Sequence, residues 1–412
     1  MAADFCYSPG LMPFEQARRL LLDSVNTINR IESINTRKAI SRILAGPIMA
    51  PMDVPANDNS AMDGFAFAHQ SLLNDRPLEL VGEALAGHPY STEILLGECV
   101  RITTGAVLPK GADTIEMKEK SVLENAYVRM THNVSKGQFV RKKGEDVRAG
   151  TPIFEQGHKI TAADIGLLSA CGIDRVDVYD RIKVAVLSSG DELVEPGEPL
   201  KPGQLYDSNR HMLIAALSRS HSEVIDLGIA RDTIHDTRQA LEKACEDADL
   251  IISSGGVSVG EADLLKQVVD DIGTLSLWRI AVKPGKPFAF GTIGSASYVG
   301  LPGNPVSSLV TFAQLTLPIL HKLQGLTAKP STSLLAKLKF PITRQTGRKE
   351  FIRAKIAFDQ QGQAWVEPTG AQGSGILSSM VAADGFIVVE PDIETIAANS
   401  YVCFEWFPEE LQ

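Results

Sequence analysis

Cysteine is scarce in this chain and long apolar runs are missing, and each shortage removes a class of protein. The 412 residues hold five cysteines, Cys6, Cys99, Cys171, Cys245 and Cys403. They are odd in number, scattered, and never spaced as CxxC. Neither a zinc site nor a disulfide framework is indicated, and reduced core thiols are expected. The longest apolar stretches are broken every few residues by polar ones, so no membrane-spanning helix is read. No charged segment followed by an apolar run is found near the start, so no export signal is read and the cytoplasm is the expected compartment. Positive charge is also in deficit, with 40 Lys and Arg against 50 Asp and Glu and a net charge of −10. An acidic envelope argues against a general nucleic-acid or membrane-surface role, yet leaves room for a local positive pocket that takes an anion.

What is present is an ordinary globular composition, 44% hydrophobic and 22% charged, in a length that suggests about three domains. Pro13 followed by Phe14, Ala17, Leu20, Leu21, Val25 and Ile28 has helical spacing. From about residue 43 to 148, short β-rich runs such as Leu78–Val81 and Cys99–Thr103 alternate with Gly, Pro, Asn and Asp turns. This reads as an inserted β-rich domain. A second helix, Ala162–Ala170, has Thr161 as N-cap and Gly172 as its stop. Packed on the first helix, it makes one domain of 1–42 and 149–180.

From 181 to 326, strands alternate with helices: Ile182–Leu187, Met212–Leu217 with Ser208 as a cap, Val224–Leu227, Asp236–Ala248, Leu250–Ile252 and Ala262–Asp271. That order indicates a parallel sheet covered on both faces, with ligands at the carboxyl ends of its strands. Residues 327–412 return to short alternating segments, Leu334–Phe340, Phe351–Phe358, Gly385–Val389 and Tyr401–Phe407, and read as a small β-barrel or sandwich.

The chemistry gathers in turns. Ser253-Ser254-Gly255-Gly256-Val257-Ser258-Val259-Gly260 joins a buried strand to a helix; glycines admit a ligand to the backbone and free amides bind anions. Its spacing fits neither the phosphate loop nor GxGxxG, and a packing turn is the plainer alternative. Ser188-Ser189-Gly190-Asp191-Glu192 places two acids at a strand end, and Asp232 and Asp263 belong to the same rim. Such a rim suits Mg²⁺, although solvated loop acids and N-caps are the commoner fate of each acid alone. Lys283-Pro284-Gly285-Lys286-Pro287, preceded by Arg279, holds two lysines on a stiff frame suited to oxyanions. In Leu301-Pro302-Gly303-Asn304-Pro305, plain helix initiation by Asn304 and Pro305 competes with anion binding at the helix start. Asp58–Gly64, Arg101–Ala106 with Thr104, and Arg141–Asp146 read singly as turns.

Taken together, Asp58–Gly64, Arg101–Ala106, Gly144–Asp146, Gly190–Leu193, Ser253–Asp263, Lys283–Pro287 and Leu301–Pro305 stand in the order found in molybdopterin molybdenumtransferases. The chain resembles that bacterial MoeA family, itself similar to the E domain of gephyrin. The resemblance runs nearly end to end; it is most specific in the central domain and Asp58–Gly64, and weak beyond Thr327.

It implies a multidomain α/β plus β fold. A central doubly wound parallel sheet of molybdopterin-binding type is joined by a β-rich insertion, a discontinuous elongated helical domain and a C-terminal small β-barrel. It further implies a homodimer whose active site is shared between the central domain of one subunit and the insertion of the other. The implied substrates are adenylylated molybdopterin and molybdate, with Mg²⁺ as cofactor and AMP and molybdenum cofactor as products. Molybdopterin adenylyltransferase and molybdoenzyme maturation proteins are the further partners.

Carried over by motif, Asp191, Glu192, Asp232 and Asp263 serve the metal and nucleotide end. Lys283 and Lys286 face molybdate or phosphate, while Ser253, Gly255, Gly256, Ser258 and Gly260 with Pro302, Gly303, Asn304 and Pro305 shape the anion pocket. Asp58, Thr104 and Asp146 come from the neighbouring subunit. Arg279 stands where the family often has lysine, which keeps the charge but changes how it contacts oxygen. Molybdenum's sulfur ligands belong to the pterin, so the absence of cysteine from every motif is in order.

Three other readings compete. A molybdopterin adenylyltransferase needs only the central domain, a CinA-like nucleotide pyrophosphatase lacks a use for Asp58–Gly64 and the C-terminal module, and a non-catalytic scaffold has no need of the acids and lysines.

Overall fold

The computed structural model describes residues 10–74, 76–256, 267–269, 271–327 and 332–412. They form two compact units, one of residues up to Glu32 with Tyr179–Gln412, the other Ser33–Val178. In the first unit, Pro13 stands at the N-cap of α1 (Phe14–Asp23), where its missing amide costs nothing. Phe14, Ala17 and Leu21 bury one stripe of α1 in a core shared with Leu320 and Phe351.

In the second unit, segments far apart in sequence are stitched together. Thr36 donates its amide to the Asp174 carbonyl and Leu44 to that of His158, while Ile48–Met49 pairs antiparallel with Pro152–Phe154. Between them, Thr161 and Asp164 close a capping box at the start of α2 (Ala162–Ala170), and Gly172, at φ +74°, ends it. Leu168 of α2 packs with Ala39, Leu44, Ile160, Val176 and Val178. The buried residues of α1 lie in the core of the first unit and Leu168 of α2 in that of the second, where the two helices were expected to share one domain.

The rest of this unit is a six-stranded sheet. Gly64–Phe67 and Glu98–Ile102 are neighbours in it, flanked by the edge strand Thr114–Met117 on one side and by Leu78–Ala84 on the other. Alternate residues bury opposite faces, Ala66, Val100 and Ile115 on one and Phe65, Phe67 and Cys99 on the other.

The first unit is built on a six-stranded sheet of β1 (Lys183–Ser189), β2 (Glu223–Ala230), β3 (Leu250–Ser254), β4 (Gly273–Arg279), β5 (Pro287–Ile293) and β6 (Ala296–Leu301), in the order β2-β1-β3-β6-β5-β4. The first four are parallel. Val184, Val186 and Ile252 enter one core with α3 (Asn209–Arg219), Ala185, Leu187 and Ile251 the other with α4 (Ile234–Cys245). Two covered faces explain the unbroken apolar runs, and the doubly wound arrangement read from the sequence is present. The sheet also carries an addition: β5 is antiparallel to β6, and β4 to β5. Only a short turn separates Ile293 from Ala296, and a parallel partner needs a crossover of a dozen residues or more.

The C-terminal strands close into a barrel. Lys349–Phe358, Ala364–Pro368, Ser333–Leu338, Tyr401–Trp406 and Gly385–Val389 pair in a ring that returns to Lys349–Phe358. Its interior holds Leu338, Ile352, Val366, Ile387 and Phe404. Closure removes free edges from the ring. Among the described residues no helix is long and apolar enough to cross a membrane.

Candidate functional site

Strand register decides which turns meet in the first unit. Ser188 lies opposite Ser254, Ser254 opposite Leu301, and Ser189 opposite Ala230. The segments 188–192, 231–233, 253–256 and 301–305 therefore leave the sheet at one edge, the carboxyl ends of the parallel strands. Because β5 runs antiparallel to β6 and pairs Pro287 with Arg279, Arg279 and the loop 283–287 reach the same edge. Six strands spaced ~4.8 Å make this edge about 24 Å wide.

The acids occupy one end. The Ser189 hydroxyl donates to Asp232 Oδ1 at 2.7 Å, the Asp191 amide to Asp232 Oδ2 at 3.4 Å, and the Asp232 amide to Asp191 Oδ1 at 3.2 Å. This exchange locks the two loops together. Asp191 and Glu192 are both exposed, and the Glu192 carboxylate lies over Gly190.

The middle is a floor of glycine and buried polar groups. Gly255 has φ +91°, and a Cβ there would meet the Ser189 carbonyl oxygen at 2.4 Å, so only glycine lets β3 turn so close to β1. Buried Asn209, first residue of α3, donates from Nδ2 to Ser254 Oγ at 2.8 Å and to the Gly303 carbonyl at 2.7 Å. It clamps two of the motifs to each other. Asn209 Oδ1 and Ser188 Oγ are buried and find no partner among the described residues, which leaves acceptor capacity beneath the site.

Several expectations for this floor are corrected. Ser253 is buried and bonded to the Tyr298 hydroxyl; period-2 alternation turns it into the core, so it braces β3 instead of facing a ligand. Asn304 stands at the N-cap of Pro305–Thr311 but makes no capping bond, and the Val306 amide donates to the Ser374 carbonyl at 3.0 Å. The helix start therefore offers fewer free amides than expected, because the segment around Ser374 consumes one. Ser208 caps nothing either. Its backbone is already helical, and Asp207 takes the Arg210 amide instead. Ser258, Gly260, Asp263 and most of the expected helix Ala262–Asp271 lie outside the described residues.

The cations occupy the other end. Gly285, at φ +111°, seats the loop 283–287 against Ser307 and Thr311. Lys283 Nζ lies 2.8 Å from Glu350 Oε1, and Glu350 Oε2 accepts from Arg344 Nε at 2.7 Å. Lys286 is half-buried and Arg279 exposed.

The second unit gathers the remaining motifs. Asn59 and Ser60 pair with Arg141 and Val140, and Gly105 donates its amide to the Ser60 carbonyl. Asp58 accepts from the Lys143 amide at 2.8 Å and from Lys142 Nζ at 2.9 Å; first that amide, then the ammonium, hold its carboxyl below the usual range. Thr104 donates both its amide and its hydroxyl to Asp63 Oδ1, which lowers the Asp63 carboxyl in the same way. Asp146 is exposed, its amide on the Val54 carbonyl. Three turns read singly as loops thus form one polar surface around Asp58, Thr104 and Asp146.

Sequence reading missed Asn209 and Glu350. Asn209 sat in Asp207-Ser208-Asn209, which looks like plain helix capping. Glu350 sat among many acids in a stretch with no motif.

Comparison with known proteins sets this geometry in context. The description "MoeA N-terminal region (domain I and II)" matches residues 12–172, "Probable molybdopterin binding domain" 185–322, and "MoeA C-terminal region (domain IV)" 335–407. A molybdopterin molybdenumtransferase of Haemophilus influenzae is 41% identical over 96% of this chain and 99% of its own. Gephyrin of Dictyostelium discoideum is 30% identical over 93% of this chain and 60% of its own. The crystal structure of a MoeA protein from Pyrococcus horikoshii superposes with a TM-score of 0.84 at 29% identity, covering 96% of this chain and 100% of that one.

Proposed function

The chain belongs to the MoeA family of molybdopterin molybdenumtransferases, and from that premise we propose how its residues divide the work. The enzyme inserts molybdenum into molybdopterin. Its substrates on this reading are adenylylated molybdopterin and molybdate, and breaking the phosphoanhydride releases AMP. The observation that carries the reading is a single sheet edge with carboxylates at Asp191, Glu192 and Asp232 and cations at Lys283, Lys286 and Arg279.

Molybdate is a doubly charged oxyanion, and Lys283, Lys286 and Arg279 supply the donors it needs. Gly255, Gly256, Pro302 and Gly303 let an elongated nucleotide lie against the backbone between the two ends. Asp191 and Glu192, with Asp232, are the residues for Mg²⁺; Asp263, expected with them, lies outside the described residues. Among the described residues no three His, Cys, Asp or Glu side chains form a ready cage, and both Asp232 oxygens are already engaged. That donor set fits an ion held by one or two carboxylates plus water and phosphate oxygens. When bound, it supplies charge neutralisation at the phosphoanhydride.

Asp58, Thr104 and Asp146 belong on this reading to a site shared across a homodimer. The Asp58 carboxylate and the Thr104 hydroxyl are held by hydrogen bonds, and Asp146 is exposed, in the second compact unit. The cytoplasm is the proposed compartment, consistent with Cys99, Cys171, Cys245 and Cys403 as free thiols. The adenylyltransferase, pyrophosphatase and scaffold readings are not favoured, because relatives matching end to end are molybdenumtransferases. Purified protein given adenylylated molybdopterin, molybdate and Mg²⁺ should yield AMP and active cofactor, and chelating Mg²⁺ should stop both. Making adenylylated pterin from ATP instead would overturn the assignment.

A further inference from the structure

We infer that Glu350 of the C-terminal barrel is a positioning residue for molybdenum insertion: backed by Arg344, it fixes the ammonium of Lys283 at the cationic end of the site. The inference rests on the reading of Lys283 given above.

The placement begins in the backbone. Val282–Lys283 runs parallel to the barrel strand Lys349–Phe358, with Lys283 directly opposite Glu350. Glu350 and Arg344 are buried, at 6% and 3% side-chain exposure, whereas Lys283 is 41% exposed. Arg344 cannot swing away, because its outer nitrogens donate to the carbonyls of Glu390, Ile393 and Arg348. A guanidinium held at three carbonyls holds Glu350 Oε2, and Glu350 Oε1 then holds Lys283 Nζ.

The chemistry follows from donor capacity. An ammonium has three N–H groups; Glu350 takes one, which leaves two for an oxyanion on a side chain that is 41% exposed. Without that anchor, a lysine on four rotatable bonds samples many positions. Burying one carboxylate between two cations seldom improves stability over apolar packing, so fixing a charge beside the reacting oxyanion is the better account of it. Arg344, Glu350 and Lys283 together carry a charge of +1, and neutralising Glu350 raises it to +2. Loss of the anchor therefore separates two properties that a purely structural defect would move together: placement worsens while attraction for a dianion grows.

The test compares Glu350→Gln, Glu350→Asp, Lys283→Ala and the double variant Glu350→Gln/Lys283→Ala in the full-length protein. Steady-state kinetics with molybdate and adenylylated molybdopterin are read beside thermal unfolding. Glu350→Gln should lower kcat about tenfold or more, since displacement of a reacting group by an ångström costs up to ~100-fold, while KM for molybdate stays level or falls. Glu350→Asp, which keeps the charge, should recover part of kcat. The double variant should be no slower than Lys283→Ala, because the two residues act through one ammonium.

Normal kcat in Glu350→Gln beside an impaired Lys283→Ala overturns the role of Glu350 and leaves that of Lys283. A fully active Lys283→Ala overturns the reading of Lys283 itself. Additive losses in the double variant reduce Glu350 to a structural residue, and that also overturns the inference. Should Glu350→Gln fail to fold, Glu350→Asp decides. Wild-type kinetics there, or a loss of the same size in the Lys283→Ala background, sinks the proposal.

Discussion

At the scale of single residues, this site is a matter of what small groups permit. Gly255 turns β3 under the Ser189 carbonyl at a distance no side chain tolerates. Gly255→Ala should therefore cost roughly 1–3 kcal/mol, the range for a residue forced into a sparsely populated backbone region. It should also weaken nucleotide binding, because the turn must move away from β1. Chemical denaturation and a binding titration with adenylylated pterin check both; unchanged binding with unchanged stability would show that the close approach is unimportant. The triplet Ser253, Ser254 and Asn209 carries the complementary lesson. Two adjacent serines look equivalent in the sequence, yet one braces Tyr298 in the core and the other is held by Asn209 beneath the site. The motif was legible as a glycine-rich turn at a strand end; which hydroxyl faces which way was not, since that depends on the side of the sheet each residue takes.

Elements carry two further expectations. The start of α2 depends on the reciprocal pair Thr161 and Asp164, with the Thr161 amide on Asp164 Oδ2 at 2.7 Å. Thr161→Ala should destabilise the first turn by about 1 kcal/mol, or about fivefold in local opening. Faster hydrogen exchange at the Asp164 amide, with distant amides unaffected, is the result to look for; no change there would mean the cap is idle. In the turn 141–146, Asp58 is held below the ordinary carboxylate range, first by the Lys143 amide and then by Lys142. A carboxyl depressed on folding contributes stability above its unfolded value, and that contribution is lost as pH falls through the lower folded value. Asp58→Asn should therefore be less stable than wild type at neutral pH, with the gap closing below about pH 4. Acid titrations followed by circular dichroism test this, and a gap independent of pH would refute it. The N-cap Thr161 and the stop Gly172 of α2 were readable because capping is local chemistry; the reciprocal bond from Asp164 is what the structure adds. The failure of Ser208 as a cap was not readable, since a helical backbone at Ser208 follows from where Asp207 and Arg210 are anchored.

For the whole molecule, the proposal with the widest reach is the shared site. Asp58 and Glu192 lie in different compact units of the chain, and on the proposed reading each completes the other only across a dimer. Asp58→Ala and Glu192→Ala should each fold and each be inactive. Mixed with free subunit exchange, half the dimers become mixed and each has one intact site, so about a quarter of the sites should recover in a twofold assembly. Exchange demonstrated without any recovery would rule the shared arrangement out.

The sequence by itself determined the alternation of strands and helices, a C-terminal β module and the seven motifs, because turn chemistry, capping and hydrophobic period are properties of short stretches. It did not determine that α1 joins the larger core, that β5 and β4 run antiparallel, or that Lys283 leans on Glu350. Those facts depend on which surfaces compete successfully for burial and which strands lie side by side. Residues 67 positions apart become partners only once the backbone between them has folded, and no local pattern encodes that distance in space.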